Sequence, residues 1–246
     1  METGLRGRTV LITGASRNMG RHGALAFAAE GANLAICTSQ RMTELEEVAA
    51  VAGAAGVGVL ARKCDVTDGS AVAGFVAETV KTFGRIDVVV NVAGYRAEAP
   101  FLEETDEVWE RNIAVNLSGP RHVCRQVIPL MKERRWGRII NVAGIAPYIG
   151  MGSAKAMVKL GIVGFTRGLA REFAEFGITA NTIGPGYIGR GERAEGESDK
   201  PLTDATPMKR KGTPSEAVSL MVYLASTDAG FITGQSYLMN GGTYFQ

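Results

Sequence analysis

Short apolar runs alternate along this chain with longer stretches in which apolar residues recur every three or four positions. The short runs fall at residues 9–13, 33–37, 58–63, 88–91, 138–142, 179–183 and 236–239. Their nearly continuous apolar character predicts strands covered on both faces, as in a parallel sheet. The periodic stretches predict helices near 20–30, 42–53, 69–83, 106–131, 153–176 and 214–225. In the fifth of these, Val158, Ile162, Phe165, Leu169 and Phe173 lie on one stripe, which reads as a packing face. The alternation predicts an α/β fold: a single doubly wound domain over residues 1–246, its mostly parallel seven-stranded sheet flanked by helices on both faces. No repeat or linker divides it. One segment, 189–212, is rich in Gly, Glu, Lys and Arg and has little periodicity. So long an irregular stretch inside a compact domain predicts a flexible substrate flap.

Composition narrows the function classes. With 46% apolar and 21% charged residues and a net charge of +2, the chain reads as an ordinary globular protein without a nucleic-acid or membrane-surface partner. Arg134-Arg135 and Lys209-Arg210-Lys211 are short enough to read as solvated faces, although the second, within the flap, leaves an anionic substrate handle open. Cys37, Cys64 and Cys124 are scattered and odd in number, which predicts buried thiols in a reducing compartment. With His22 and His122 as the only histidines, no metal site is expected. No apolar run approaches the ~20 residues of a membrane span, and the first residues lack the apolar stretch of a signal peptide. A cytoplasmic protein is expected.

Residues 10–20, VLITGASRNMG, carry a strand into a tight turn and then a helix. Small residues there let backbone approach a pyrophosphate, and the helix N-terminus offers amides and a favourable dipole to its charge. Thr13-Gly14-x-Ser16-Arg17-Asn18-Met19-Gly20 resembles the Thr-Gly-x-x-x-Gly-x-Gly loop of the short-chain dehydrogenase/reductase family, with Asn18 in place of the middle glycine. Asparagine tolerates a left-handed backbone better than other side chains, so the turn is expected to survive. After the second strand the chain reads Cys37-Thr38-Ser39-Gln40-Arg41, without the acid that would bond a ribose 2′-hydroxyl. Arg17 and Arg41 are suited to gripping a 2′-phosphate. NADP(H) is therefore expected in preference to NAD(H).

Further marks of the resemblance span nearly the whole chain. Asp65-Val66 sits where the family contacts adenine; Asn91-Val-Ala93-Gly94 resembles its Asn-Asn-Ala-Gly signature; Asn116 matches its active-site asparagine. Pro185-Gly186-Tyr-Ile188 resembles the turn whose backbone holds the nicotinamide carboxamide, followed by Arg190 where threonine is common. Residues 234–242 match the last strand, with Asn240 replacing an aspartate. The resemblance implies a Rossmann-type domain and a homotetramer or dimer.

The reaction centre departs from the family. A tyrosine hydroxyl there exchanges a proton with the substrate oxygen, a lysine four residues later lowers its pKa and holds the nicotinamide ribose, and a serine steadies the substrate oxygen. The segment following Lys159, LGIVGFTR, resembles the family sequence after that lysine, which makes Lys155 the tyrosine position. Were Lys155 the lysine, the tyrosine position would be Met151, so neither register supplies a tyrosine. The serine position is Gly144.

Three outcomes stay open. In the first, Lys155 acts as acid and base; two ammonium groups about 6 Å apart at an effective dielectric of ~20 repel by roughly 2–3 kcal/mol, enough to bring one lysine toward pKa ~8. In the second, Tyr148 swings in from its loop. In the third, carbonyl–alcohol chemistry is lost, and the protein binds nucleotide without turnover or reduces a conjugated system with water as proton donor. The resemblance thus implies an NAD(P)(H)-dependent oxidoreductase acting on a small carbonyl, alcohol or enoyl substrate, with Lys159 on the cofactor ribose and Asn116 organising the site. The alternative is a catalytically degenerate nucleotide-binding protein with a scaffold or sensing role.

Overall fold

The computed structural model describes residues 3–97, 99–189 and 200–245. Seven strands, β1 (Thr9–Thr13), β2 (Asn33–Thr38), β3 (Val59–Lys63), β4 (Val88–Asn91), β5 (Gly137–Val142), β6 (Ile178–Pro185) and β7 (Ser236–Met239), form one sheet in the order β3-β2-β1-β4-β5-β6-β7. Every pairing is parallel. The helices are α1 (Asn18–Ala29), α2 (Met42–Gly53), α3 (Gly69–Phe83), α4 (Asp106–Ile113), α5 (Gly119–Arg134), α6 (Ala146–Ile149), α7 (Ser153–Phe173), α8 (Lys200–Ala205) and α9 (Pro214–Ala225).

Alternate strand residues sort onto the two faces of the sheet. Val10, Ile12, Leu34, Ile36, Val88, Val90 and Ile140 pack with Phe27 of α1, Leu45 of α2 and Met221 of α9. Leu11, Ala35, Val89 and Ile139 face the other way, against Phe75 of α3, Val127 and Met131 of α5 and Leu169 of α7. This two-sided burial explains why the strands read as continuous apolar runs. It makes the domain doubly wound and Rossmann-type, as expected. The chain leaves β1 for β2 on one side and later fills β4 on the other, so a crevice opens at the C-terminal strand ends between the two halves.

One expectation needs correction. The helix predicted over 106–131 is α4 and α5 joined through a π turn, Ala114–Ser118, which carries Asn116. An extra residue per turn widens the backbone there, a feature that sequence periodicity does not register. Of the segment 189–212, residues Lys200–Ala205 form α8 and Gly212 bridges to Ile188; residues 190–199 lie outside the described residues. The apolar stripe of α7 holds, with Val158, Ile162 and Leu169 buried and Phe165 and Phe173 packed half-buried against the core.

Far from the crevice, at the N-terminal ends of the strands, two guanidinium groups lie over the Trp136 ring: Arg8 is 3.6 Å and Arg138 4.4 Å from its centroid. Arg138 is buried and donates to the carbonyls of Ser226, Gly137 and Gly177. Burial, with the charge of Arg8 beside it, pushes its pKa down to about 10.

Candidate active site

The dinucleotide end is shaped by glycine at two contacts. Gly14 has φ 68°, and a Cβ there would lie 2.8 Å from Ala93 Cα, so the β1 turn and the β4 loop touch backbone to backbone. A Cβ on Gly20 would collide with the Gly14 carbonyl. Asn18 takes φ 48°, the left-handed conformation that its family position demands. The loop is tied to its surroundings by Ala15 N–H donating to the Cys37 carbonyl at 3.1 Å and Ala93 N–H to Thr13 Oγ1 at 3.2 Å. Helix α1 begins after Arg17 without any side-chain cap and without an acid in its first turn. Its opening amides thus lack the carboxylate or hydroxyl that caps α3 and α9. A pyrophosphate fits this end as the missing cap.

At the adenine end Asp65 Oδ1 accepts from Thr67 N–H (2.9 Å) and Thr67 Oγ1 (2.8 Å), while Oδ2 pairs with Arg111 at 3.2 Å. Burial acts to raise the Asp65 pKa, but the Thr67 bonds and the Arg111 charge outweigh it and hold the carboxyl below its ordinary value. The His122 Nδ1 lies 3.0 Å from the Val66 carbonyl and steadies the neighbouring residue. Cys64 N–H donates to the Thr38 carbonyl at 2.8 Å, which sets this loop beside the end of β2. There the buried Thr38 hydroxyl lies 3.4 Å from Ser16 Oγ and accepts from Arg41 N–H at 3.4 Å; Ser39 is half-buried alongside. Arg17 is exposed, whereas Arg41 Nη1 is paired with Glu44 Oε1 at 2.8 Å. The local tally of residues 37–41 held no acid; the structure supplies one from the first turn of α2.

At the reaction end Lys159 Nζ donates to Asn116 Oδ1 at 3.2 Å and to the Val142 carbonyl at 3.3 Å. Asn116 Nδ2 in turn donates to the carbonyls of Asn112 (3.0 Å) and Tyr95 (3.1 Å). The π turn therefore aims the asparagine oxygen at the lysine while its amide is fixed behind. Gly94 closes over this pair, its Cβ position 3.4 Å from Asn116 Oδ1. Burial, then the charges of Arg96 and Lys155, push the Lys159 pKa down to about 8. Burial is the main cause of this shift. Lys155, one turn earlier, is half-buried. Beneath them Asn91 Nδ2 donates to Asn141 Oδ1 (2.8 Å), and Asn141 Nδ2 to Thr166 Oγ1 (2.8 Å), a buried ladder across β4, β5 and α7.

Gly144 takes φ 131°, a region closed to ordinary side chains, and a Cβ there would still lie 3.9 Å from the nearest atom, the Pro185 carbonyl oxygen. Tyr148 is engaged elsewhere: its hydroxyl lies 3.1 Å from Ser236 Oγ and its ring 5.5 Å from that of Tyr244. Gly186 N–H donates to the Met239 carbonyl at 2.8 Å, which fixes the Pro185-Gly186 turn against β7. Beyond that turn Tyr187, Ile188, Met208, Leu238 and Met239 line a pocket of about 360 Å³, with Arg210 and Glu216 at its polar end. Arg210 is paired bidentately with Glu216, at 2.9 and 2.7 Å, and the same carboxylate completes the capping box of α9 with Thr213. Within Lys209-Arg210-Lys211, where a handle for an anionic substrate was left open, Arg210 is thus committed to a structural latch.

Sequence reasoning missed Glu44, Arg96 and Arg111. The i,i+3 spacing of Arg41 and Glu44 was a usable signal. Arg96 and Arg111 reach the site only through the tertiary fold. Among the described residues there is no cluster of three metal-ligating side chains, and no helix is long and apolar enough to cross a membrane.

Comparison with known proteins agrees with this geometry. A family model described as Enoyl-(Acyl carrier protein) reductase matches residues 14–244. Nodulation protein G of Azospirillum brasilense is 35% identical, over 97% of this chain and 99% of that protein. A 3-oxoacyl-[acyl-carrier-protein] reductase of Synechocystis sp. is 34% identical, over 98% of each. Among solved structures, a double mutant of a Serratia marcescens short-chain dehydrogenase/reductase superposes with a TM-score of 0.91 at 31% identity, covering 97% of this chain and 98% of that one. An NAD+-bound xylitol dehydrogenase gives 0.90 at 30% identity, covering 97% and 99%.

Proposed function

The chain belongs to the short-chain dehydrogenase/reductase family, and from that premise we propose that it reduces a carbonyl or conjugated enoyl group on an acyl-type substrate, with NADP(H) preferred over NAD(H). The observation that carries the reading is the Lys159–Asn116 hydrogen bond at 3.2 Å, kept although the serine and tyrosine positions are Gly144 and Lys155. A protein that had only to bind nucleotide would have no need of an asparagine presented by a π turn at the reaction end.

In this reading the uncapped α1 terminus and the Gly14–Gly20 turn hold the pyrophosphate, Asp65 and Val66 border the adenine, Lys159 holds the nicotinamide ribose, and the backbone of Gly186 and Ile188 meets the carboxamide. When bound, the nicotinamide supplies the hydride. Lys155, on the same face of α7 as Lys159 and one turn before it, donates the proton to the substrate. Tyr148 would first have to leave Ser236, which makes it the weaker donor. The pocket bounded by Ile188, Met208 and Leu238 takes the apolar part of the substrate, in keeping with acyl-directed relatives.

Gly144 favours a second reading, nucleotide binding without turnover, because its backbone excludes the serine that would steady a substrate oxygen. Fluorescence titration with NADPH and NADH, followed by cofactor oxidation against ketones, 3-oxoacyl thioesters and enoyl thioesters, separates the two. Turnover of one thioester class is expected. Tight binding with no turnover across the panel would overturn the enzyme reading. Lys155→Met should abolish turnover while leaving NADPH affinity nearly intact; persistence at full rate would exclude Lys155 as the proton donor.

A homotetramer or dimer in the cytoplasm completes the proposal. The exposed Met157 and Leu160 beside Gly161 and Gly164 on α7 support self-association, which light scattering would measure.

A further inference from the structure

The adenosine end of the crevice contains a carboxylate that the cofactor reading has not used. Arg41 stands at the entry to α2, its backbone N–H held by Thr38 Oγ1 at 3.4 Å, and Thr38 Oγ1 lies 3.4 Å from Ser16 Oγ in the dinucleotide loop. This chain of contacts ties the entry to α2 to the dinucleotide loop, in which Arg17 is the last residue before α1. Glu44 stands in the first turn of α2, and its Oε1 accepts from Arg41 Nη1 at 2.8 Å. Its carboxyl is held below its ordinary pKa by its own backbone amide, then by the Arg41 bond, and the charge of Arg17 adds to this. Arg41, one of the two arginines suited to a 2′-phosphate, is therefore already paired with an anion, and that anion also feels the charge of Arg17.

We propose that Glu44 is a specificity-determining residue that competes with an adenosine 2′-phosphate for the Arg41 guanidinium, so that it narrows the preference for NADP(H) over NAD(H). The inference rests on the dinucleotide reading above. A 2′-phosphate brings close to two negative charges to a guanidinium that already faces a carboxylate. It must either displace Glu44 from Arg41 or sit beside it at a repulsive distance. A 2′-hydroxyl carries no charge and meets neither obstacle. Because Arg41 and Glu44 are about half exposed, at 50% and 42%, the competition is screened by water and salt and is moderate in size. The chain is thereby set to use both cofactors with a small bias, which a fully basic pocket would not do.

The test measures dissociation constants for NADPH and NADH at low ionic strength in the wild type, Glu44→Gln and Arg41→Gln, with 2′,5′-ADP and 5′-ADP as competitors that report on the adenosine end alone. Glu44→Gln is expected to shift the NADPH:NADH affinity ratio toward NADPH by about three- to tenfold, to strengthen 2′,5′-ADP more than 5′-ADP, and to lose most of this effect at high salt. In Arg41→Gln the ratio should move toward NADH, and adding Glu44→Gln to it should produce little further change. An unchanged ratio in Glu44→Gln, or equal strengthening of both cofactors, would overturn the proposal while leaving the oxidoreductase reading in place. Failure of the wild type to bind either dinucleotide would overturn both.

Discussion

Asn116 Oδ1 lies 3.2 Å from Lys159 Nζ across the gap between the π turn and α7. This bond positions Lys159, whose pKa falls to about 8, and it joins two elements that otherwise approach the site from different sides. Asn116→Ala removes an acceptor from a charged donor, an interaction of about 1.5–3 kcal/mol, or roughly ten- to a hundredfold in rate if it is made in the transition state. Turnover of a thioester substrate should fall within that range. Asn116→Asp instead places a carboxylate against the ammonium, so the pH–rate profile should shift to higher pH. An unshifted profile would show that Lys159 ionisation does not govern the reaction.

Lys159 also links stability to pH. Its pKa falls from 10.5 to about 8 on folding, chiefly by burial. Below the folded value both states carry the proton and the burial penalty is fully present. Between the two values the folded state releases a proton that the unfolded chain keeps, so the wild type gains stability as pH rises through that window. Urea denaturation of the wild type and Lys159→Met should show the wild type gaining about 2 kcal/mol relative to the variant between about pH 7 and 10. Parallel curves would mean that Lys159 is not buried as a cation.

Gly144 makes the missing serine a backbone matter. At φ 131° the nearest atom to a new Cβ is 3.9 Å away, so space does not oppose a side chain, but conformation does. Gly144→Ser and Gly144→Ala should both lose about 1–3 kcal/mol, seen as a fall in melting temperature of about 3–10 °C. If Gly144→Ser melts like the wild type, the loop has a second conformation that accepts a serine.

Trp136 predicts a stability effect with no functional one. Two guanidinium groups lie over its ring, within 3.6 and 4.4 Å of the centroid, at the strand ends opposite the crevice. Trp136→Leu should lower unfolding free energy by about 1–3 kcal/mol and leave NADPH affinity unchanged. A stability loss below about 0.5 kcal/mol would show that the stack is ornamental.

Much of the fold was legible because burial on both faces writes itself into local composition. The seven runs from Thr9 to Met239 each became a strand, and most disagreement is at their ends, as at β6, which continues to Pro185. The site was legible where a motif is contiguous, as from Gly14 to Gly20. It was not legible where function depends on an angle or on a contact between distant residues. A glycine at 144 does not announce φ 131°, and the periodicity from 106 to 131 conceals the π turn. Asp65 and Arg111 meet from 46 positions apart, which only the folded crevice reveals. Glu44 is the instructive case: it stands three residues from Arg41, one helical turn beyond the end of β2, where a cofactor-selecting acid is expected.

The π turn also constrains the length of the chain. Its backbone accommodates one residue more than an α-helix would over the same rise, so deleting any one residue between Ala114 and Ser118 would let α4 and α5 merge into a regular helix. The merged helix would turn α4 by about 100° relative to α5, carrying Asn112 and Arg111 away from their partners. Relatives of this chain that keep Asn116 should therefore hold the number of residues in this turn constant, whatever residues flank it.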